Sequence, residues 1–590
     1  MNRVLSVARR TRLRAAFVCV TVTCSCFSQA SGHAPAPYAA QSNEPIAAQQ
    51  TAVALDATPE YFGAVPAADA DSRIDALEET VRQQQDLIEG FKKQYEGIDP
   101  TPNQPGTRYR VGSRLNMQGV WNHGLEFRTP NKDFYFHVGG RTQWDNVYLN
   151  TNDGANAVIN TSGNSSRLQD ASDFRRARLR MEGSMFDTCD WCVEYNFVNA
   201  AAIQDPTSSA FNVPGGGTGN NGANMQILQN RTFNVVSPVD LWWNVRNVPL
   251  VGNVQFGNMK EPFNLERLES SRYLDFLERN YAGDAFVSPS ANGFAPGVTA
   301  WNWSQNRRMT YAVGYFKNVT NGNVFNVGDG QGEIAGRMTW LPYYDEPSNG
   351  RYFMHVGIGG AQRAIDNSLI RYRAREDLRN GPDSMLTAWA DTAYLGGTYQ
   401  QIINPELMIQ RGPLFVQAEY TGNYTTDAYT FPAGTSSNGA PANGDPATVA
   451  GAVNHGNLYY WGGYCQVMYF LTGEHRVYDY QKALVGRVVP SENAFFVKGQ
   501  DRRFFGTGAW QVGYRLNYLD LNNRGVNGGT LTGHTIGLNW FWNPNSKLQF
   551  NWDIMDRTAG SSQPNLTGNT AGVGTQSYIY GFGIRFAADF

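Results

Sequence analysis

The chain of 590 residues has no long hydrophobic run and few cysteines. After residue 30 no stretch of about 18 consecutive apolar residues occurs, which excludes transmembrane helices in that part of the chain. Of the six cysteines, only Cys189, Cys192 and Cys465 follow residue 30, too few for a disulfide framework. Cys189 and Cys192 are either a disulfide or redox pair or two unpaired thiols at a strand-turn junction. Any membrane crossing in this region must therefore be made by strands.

Aromatic residues, by contrast, make up 13% of the chain, and the last stretch, Tyr578–Phe590, places apolar residues at every even position. The odd positions from 581 onward are Gly581, Gly583, Arg585, Ala587 and Asp589. A period of two puts alternate side chains on opposite faces of a β-strand. A strand with one apolar face and with arginine and aspartate on the other predicts the closing strand of an outer-membrane β-barrel.

The first residues predict export. Five arginines without an acid precede a short apolar run, and Ser28-Gln29-Ala30 has the small residues that a signal peptidase requires. We therefore expect a signal peptide over residues 1–30. A lipoprotein signal is the alternative, because three cysteines lie in this segment, but the residues before them fit that signal poorly.

Between the signal and the barrel, the composition predicts three segments. Residues 31–70 are rich in Ala, Pro and Gln and predict a disordered spacer. Residues 71–97 predict a short α-helical coiled coil, and residues 98–123, which contain several prolines, a linker. The heptad positions of the coiled coil are Ile74, Leu77, Val81, Gln84, Ile88, Phe91 and Tyr95.

Residues 124–590 show the alternation of an all-β, transmembrane antiparallel barrel of about 16 strands. Short turns such as Asn543–Ser546 alternate with long Gly/Asn/Ser-rich connections, and we expect one of the long connections over residues 521–533. Residues 473–507 are also long, although strand parity places them on the short-turn side. The alternation of short and long connections is typical of outer-membrane barrels.

Arginine clusters are the functional signal in this nearly neutral chain, whose formal net charge is −3. Arg371, Arg373 and Arg375 lie at every second position, which in an extended chain is one face. Further clusters occupy residues 173–180 and 260–280. Arginine facing lipid is costly, so these side chains are expected in the lumen or at its mouth.

Several motifs together resemble those of the phosphate- and polyphosphate-selective porins of the outer membrane (porin O/P type), from about Gly124 to Phe590. They are Gly124-Leu125-Glu126, Val138-Gly139-Gly140-Arg141, Phe174-Arg175-Arg176-Ala177, Lys260-Glu261-Pro262-Phe263, Leu277-Glu278-Arg279-Asn280 and Phe470-Leu471-Thr472-Gly473-Glu474.

The resemblance implies a trimeric barrel in which an arginine ladder leads anions to a constriction that holds phosphate. The constriction positions implied by the motifs are Arg141, Arg175, Arg176, Asp240, Arg267, Arg272 and Arg279. The positions implied for the ladder are Arg371, Arg373, Arg375 and Arg379.

The chain departs from the family pattern at some of these places. Arginine replaces lysine at 267 and 272, Arg178 stands where an aromatic residue is common, and Thr188 and Cys192 lie where lysine can occur. Arginine keeps the positive charge and adds a bidentate fork, so anion attraction should survive.

The resulting hypothesis is an outer-membrane channel for passive uptake of inorganic phosphate or related anions, a homotrimer in outer-membrane lipid with a periplasmic N-terminal segment. The alternatives are a general diffusion porin and a structural tether that contacts the cell wall through the coiled coil. We expect no enzyme, because the histidines lie in no recognisable catalytic motif. No cofactor, metal or nucleic-acid partner is expected either.

Overall fold

The computed structural model describes residue 112 and residues 115–152, 170–198, 236–287, 294–317, 332–365, 369–379, 388–431, 449–498, 503–558 and 576–590. The predicted signal peptide, spacer and coiled coil lie outside the described residues. Within the described ranges, no helix is long and apolar enough to span a bilayer.

Sixteen antiparallel strands form one closed barrel, in which the last strand pairs with the first. In chain order they are β1 Phe134–Thr151, β2 Ala171–Met185, β3 Cys189–Asn196, β4 Ser237–Val248, β5 Gly252–Lys260, β6 Phe294–Trp303, β7 Met309–Lys317, β8 Gly332–Tyr344, β9 Tyr352–Ala364, β10 Tyr399–Arg411, β11 Leu414–Thr430, β12 Val453–Phe470, β13 Ala509–Asn523, β14 Val526–Asn543, β15 Ser546–Thr558 and β16 Gln576–Asp589. The prediction of a closed barrel of about 16 strands is confirmed.

The barrel is apolar outside and polar inside. Trp144, Ile403 and Trp552 are among the large apolar side chains exposed on the outer face, whereas inward neighbours such as Asn404 and Asn551 are fully buried. A soluble barrel would show the opposite arrangement, because water removes apolar side chains from its surface. Exposed apolar side chains on the outer face therefore indicate contact with lipid.

The connections between strands differ at the two rims. At one rim the turns are short, for example residues 186–188 between β2 and β3 and residues 544–545 between β14 and β15. At the other rim most connections are long. The long connection predicted over 521–533 is wrong, because β13 and β14 are joined through Arg524 and Gly525 alone and pair up to Asn523↔Val526. The polar residues that suggested a loop lie in paired strands instead.

A small hairpin precedes the barrel. Its strands, Gln118–Trp121 and Leu125–Arg128, pair with each other, and the second pairs with the start of β1 between Tyr135 and Val138. The hairpin begins within the stretch interpreted above as a linker.

The connection between β5 and β6 enters the lumen, and we call its residues 261–287 the inward loop. It contains the short helix α1, Leu265–Leu268, whose first turn is capped by the Asn264 side chain, and a single π-helical turn, Gly283–Val287. Phe263, Tyr281 and Phe286 of this loop are fully buried against the inner wall. Its approach to β9 requires glycine at position 359, because a Cβ there would meet the Phe263 carbonyl oxygen at 2.0 Å.

The connection between β9 and β10 contributes a second inward element. Its strands Leu369–Ala374 and Ala390–Gly396 form a hairpin. Tyr372 and Trp389 of this element are fully buried in the same apolar cluster as Phe286 of the inward loop. Much of the lumen next to β8–β14 is therefore filled by protein.

The long connection at the short-turn rim, residues 471–508, folds back into the barrel, and we call it the internal segment. Its described part contains the strand pairs Tyr478–Asp479 with Leu484–Val485 and Phe495–Lys498 with Arg503–Gly506. Arg337 of β8 donates to the Lys482 and Ala483 carbonyl oxygens at 3.2 and 3.0 Å. The unusual length found in the sequence thus supplies a third inward element.

Cys189 and Cys192 are free thiols in the structure. Both lie in β3, three positions apart, so their side chains point to opposite faces of the sheet. The disulfide alternative is therefore wrong, and the alternative of two unpaired thiols holds.

Candidate functional site

Five of the six acidic residues of the inward loop are buried, and the sixth, Asp284, is half-buried against the second inward element. Glu261, Glu266, Glu269, Asp275 and Glu278 are each at most 5% exposed. Buried carboxylates need paired donors, because an unpaired buried charge is costly. The wall and the internal segment supply these donors, which are Arg363, Arg515, Gln417, Arg476 and, for Glu278, Arg175, Arg176 and Arg585.

Glu278 is the most heavily paired of these acids. It accepts from Arg175 at 2.8 Å and from Arg585 at 3.1 Å, and Arg176 lies 3.6 Å away. Burial alone would raise the pKa of Glu278, but the three guanidinium groups hold that pKa well below its ordinary value. Glu278 is therefore ionised at neutral pH and fixes the loop to β2 and β16.

A β-bulge allows two adjacent arginines to approach Glu278. Gln143 of β1 is opposite Arg176 of β2, and Trp144 is opposite Phe174, so Arg175 is the extra residue. In a regular strand, adjacent side chains would point to opposite faces, and one arginine would face lipid. The bulge turns both toward the lumen.

The basic residues of the same loop lie on its other side. Arg267, Arg272 and Arg279, together with Lys260 at the end of β5, are all half-buried rather than buried. Lys260 and Arg279 both donate to the Glu269 carbonyl oxygen, at 2.9 and 2.8 Å, at the carboxyl end of α1. Cations at this position interact favourably with the negative end of the helix dipole.

The facing wall adds three more arginines. Arg141, Arg178 and Arg180 all pair with Glu194, and Arg180 also donates to Asp240 at 2.9 Å. Arg141 bonds in addition to Ser270 of the inward loop at 3.0 Å, so the wall and the loop are in direct contact. We call Arg141, Arg178, Arg180, Lys260, Arg267, Arg272 and Arg279 the cation cluster.

The cation cluster carries an excess of positive charge. Burial, and then Arg141, lowers the pKa of Arg272, and burial lowers the pKa of Arg279, but a guanidinium remains protonated in proteins. Burial also raises the pKa of Glu269 to about 8, so this acid is largely neutral at pH 7. Glu182, Glu194 and Asp240 are the acids in direct contact with the wall arginines among the described residues, three acids beside the seven cations of the cluster.

Six of the seven predicted constriction residues either contact the inward loop or belong to it. Arg141, Arg175 and Arg176 contact it from β1 and β2, and Arg267, Arg272 and Arg279 belong to it. Asp240 joins them through Arg180.

The four predicted ladder arginines lie in three different environments. Arg371 pairs with Asp391, Arg373 is exposed, and Arg375 and Arg379 both bind Asp284 of the inward loop, at 2.7 and 3.1 Å. The strand ends at Ala374, so Arg375 leaves the face that Arg371 and Arg373 begin. Recruitment of anions by the ladder stays a prediction, and Arg373 is its best test.

Replacing Arg373 with glutamine is expected to lower single-channel conductance by roughly a quarter at about 0.01 M salt and to leave it unchanged at about 1 M, because the screening length falls tenfold. Arg375→Gln is the matched comparison, since it removes a partner of the half-buried Asp284 and should lower thermal stability instead. An equal loss of conductance by Arg373→Gln at both salt concentrations would contradict recruitment at a distance.

Sequence reasoning missed two kinds of functional residue. Arg178, Arg180 and Lys260 belong to the cation cluster, although they were not among the predicted site residues. Others anchor the loop from the wall or the internal segment, namely Arg363, Arg476, Arg515 and Arg585. Alternation along β16 already placed Arg585 on the inner face, but its partner Glu278 is 307 positions away and no local pattern indicates it.

The chain is similar to several known proteins. A family model described as phosphate-selective porin O and P matches residues 136–579. Porin O of Pseudomonas aeruginosa is 24% identical over 453 residues, which cover 72% of this chain and 84% of that protein. An anion-selective porin from Comamonas acidovorans has a TM-score of 0.38 and 10% identity, with 78% of this chain and 100% of that chain covered.

Proposed function

Because the chain belongs to the phosphate-selective porin O and P family and is an outer-membrane porin, we propose that its channel favours anions and passes phosphate-type anions through the cation cluster. Family membership alone supports a channel, whereas the proposed preference for anions rests on the charges inside the barrel.

The observation that carries the proposal is the separation of charge across the inward loop. Residues 260–280 contain five acids and four bases, so their sequence gives no positive excess. Yet all five acids are buried against the wall, and all four bases lie on the partly exposed side. Because fields are poorly screened in a narrow bore with low-dielectric walls, an ion in the open lumen meets mainly the bases.

Arginine suits phosphate for a geometric reason as well. A planar guanidinium can donate two parallel hydrogen bonds to a phosphate group. Several such groups in series, each already sharing its charge with a partner such as Glu194 or Asp240, would bind an anion moderately rather than tightly. Conduction requires moderate sites, because an ion that binds too tightly does not leave.

Selectivity can be measured from the reversal potential of single channels in a potassium chloride gradient. Arg267→Gln with Arg272→Gln is expected to lower the anion-to-cation permeability ratio about threefold or more, because two fixed charges at the edge of the lumen disappear. Arg411→Gln is the matched control, since Arg411 is exposed at the end of β10.

Added inorganic phosphate should also reduce the chloride current of the unmodified channel. An unchanged permeability ratio in the double variant, or a ratio near one in the unmodified protein, would instead support a general diffusion porin.

We also propose that the channel is a homotrimer in outer-membrane lipid with its N-terminal segment in the periplasm. Cell-wall contact through the coiled coil belongs to the same proposal. The outer face of the barrel supports the lipid contact, because exposed apolar side chains cover it.

A further inference from the structure

Three tryptophans form a row along the inner wall next to the cation cluster. Trp242 of β4 and Trp301 and Trp303 of β6 occupy inward positions of their strands. Their neighbours Trp243 and Val298 mark the outward positions, with 45% and 51% exposure. The three inward indole rings are only half-buried, so part of each is accessible from the lumen. We call them the tryptophan lane.

The rings of the lane are held in position. The Trp301 indole Nε1 donates to the Asn244 Oδ1 at 3.1 Å, and the ring centroids of Trp301 and Trp303 lie 5.7 Å apart with planes inclined by 35°. Trp242 packs against the buried apolar cluster that includes Met259. A fixed aromatic surface loses little conformational freedom when a ligand binds to it.

The lane is continuous with the cation cluster. Asp240, the partner of Arg180, lies two positions before Trp242 on the same face of β4. A ligand with an anionic group in the cation cluster would therefore have the lane beside its uncharged part.

The side chains between the rings of the lane are polar and uncharged. Between the rings lie Asn244, Gln255 and Thr299, and the cation beside them, Arg246, pairs with Asp190 at 2.5 Å and with Asp187 at 3.2 Å. Gln255 is half-buried and can exchange hydrogen bonds with a hydroxyl group. Aromatic faces with a few placed amides are typical of sites for small polar organic molecules.

We propose that the channel binds phosphorylated sugars, with the phosphate group in the cation cluster and the sugar ring on Trp242, Trp301 and Trp303. The inference rests on the proposed function, because the cluster must first attract the phosphate. The C–H edges of a sugar ring pack on the electron-rich faces of indole, and its hydroxyl groups find the amides. Inorganic phosphate can bind in the cation cluster but has no sugar ring to pack on the tryptophans.

The proposal is tested with unmodified channels in planar bilayers, by the concentration that halves the chloride current. Glucose 6-phosphate is expected to do so at a concentration about fivefold lower than inorganic phosphate, because ring contacts add to the same charge interaction. Glucose alone should need a far higher concentration. Equal values for glucose 6-phosphate and phosphate would overturn the inference but leave the proposed function intact, whereas no effect of phosphate would remove both.

Variants separate the lane from the cluster. Trp301→Leu is expected to raise the half-inhibiting concentration of glucose 6-phosphate about fivefold and to leave that of inorganic phosphate unchanged. Trp552→Leu, on the outer face, is the matched control and should change neither. A parallel shift for both anions in Trp301→Leu would overturn the lane. Half-inhibition by phenyl phosphate at a concentration far below that of glucose 6-phosphate would also overturn the proposal, because the lane would then bind an aromatic ligand.

Discussion

Replacing Glu278 with glutamine is expected to release the inward loop from the wall, to raise single-channel conductance and to lower the free energy of unfolding by about 3 kcal/mol or more. Glu278 is the common partner of Arg175, Arg176 and Arg585, and its loss leaves these cations close together with less compensation. Removing one partner of a buried ion pair costs far more than the pair contributes, because the remaining charge stays desolvated.

The loss of stability can be measured by reversible unfolding in guanidinium with the barrel refolded into phospholipid vesicles. Glu346→Gln is the matched control, because Glu346 pairs with Arg308 at a side-chain exposure of 62%. An exposed pair contributes only about 0–1 kcal/mol. If both variants lost the same small amount and the conductance stayed constant, Glu278 would not be the anchor of the loop.

Replacing Arg476 with methionine is expected to be the second most damaging change, with a loss of about 3–5 kcal/mol. Arg476 belongs to the internal segment and Asp275 to the inward loop, and their 2.6 Å ion pair is almost fully buried. Arg476 also donates to the Tyr273 carbonyl oxygen at 2.8 Å. This pair joins two elements that enter the lumen from opposite rims, so its loss should also increase fluctuations of the open-channel current.

A double variant provides the control for this pair. Arg476→Met with Asp275→Leu should recover to within about 1 kcal/mol of the parent, since apolar residues can replace a buried ion pair at little cost. Phe415, whose ring lies 5.5 Å from the Arg476 guanidinium, offers an apolar neighbour for the methionine. A double variant that is no better than Arg476→Met would show that the charge itself, through its other contacts, determines stability.

Much of the fold could be predicted because a barrel wall repeats one local rule. Alternation along Tyr578–Phe590 identified the outward and inward faces of β16, and the same rule gave the number of strands. The error at 521–533 has a local cause as well. Asn, Gly and Thr in that stretch suit a loop, yet they pair across β13 and β14 because the two strands continue beyond a tight turn.

The candidate site was less accessible from the sequence. The clusters at 173–180 and 260–280 gave the correct segments, because charged side chains cannot face lipid. Which arginine pairs with a buried acid and which faces water depends on partners far along the chain. Glu278 meets Arg175 and Arg585, 103 and 307 positions away. The bulge that turns Arg175 inward also has no signal in the sequence.

The sequence by itself determined the barrel, its polar interior and the segments that carry its charge, because these follow from a period of two and from the cost of charge in lipid. Only the tertiary structure decided which of these charged side chains are buried and which stay partly exposed. Residues 260–280 have one more acid than base, but the five acids are buried against arginines and one glutamine of the wall and the internal segment. The four bases instead lie on the partly exposed side, where their contacts include the Glu269 carbonyl oxygen and the Asp589 carboxylate.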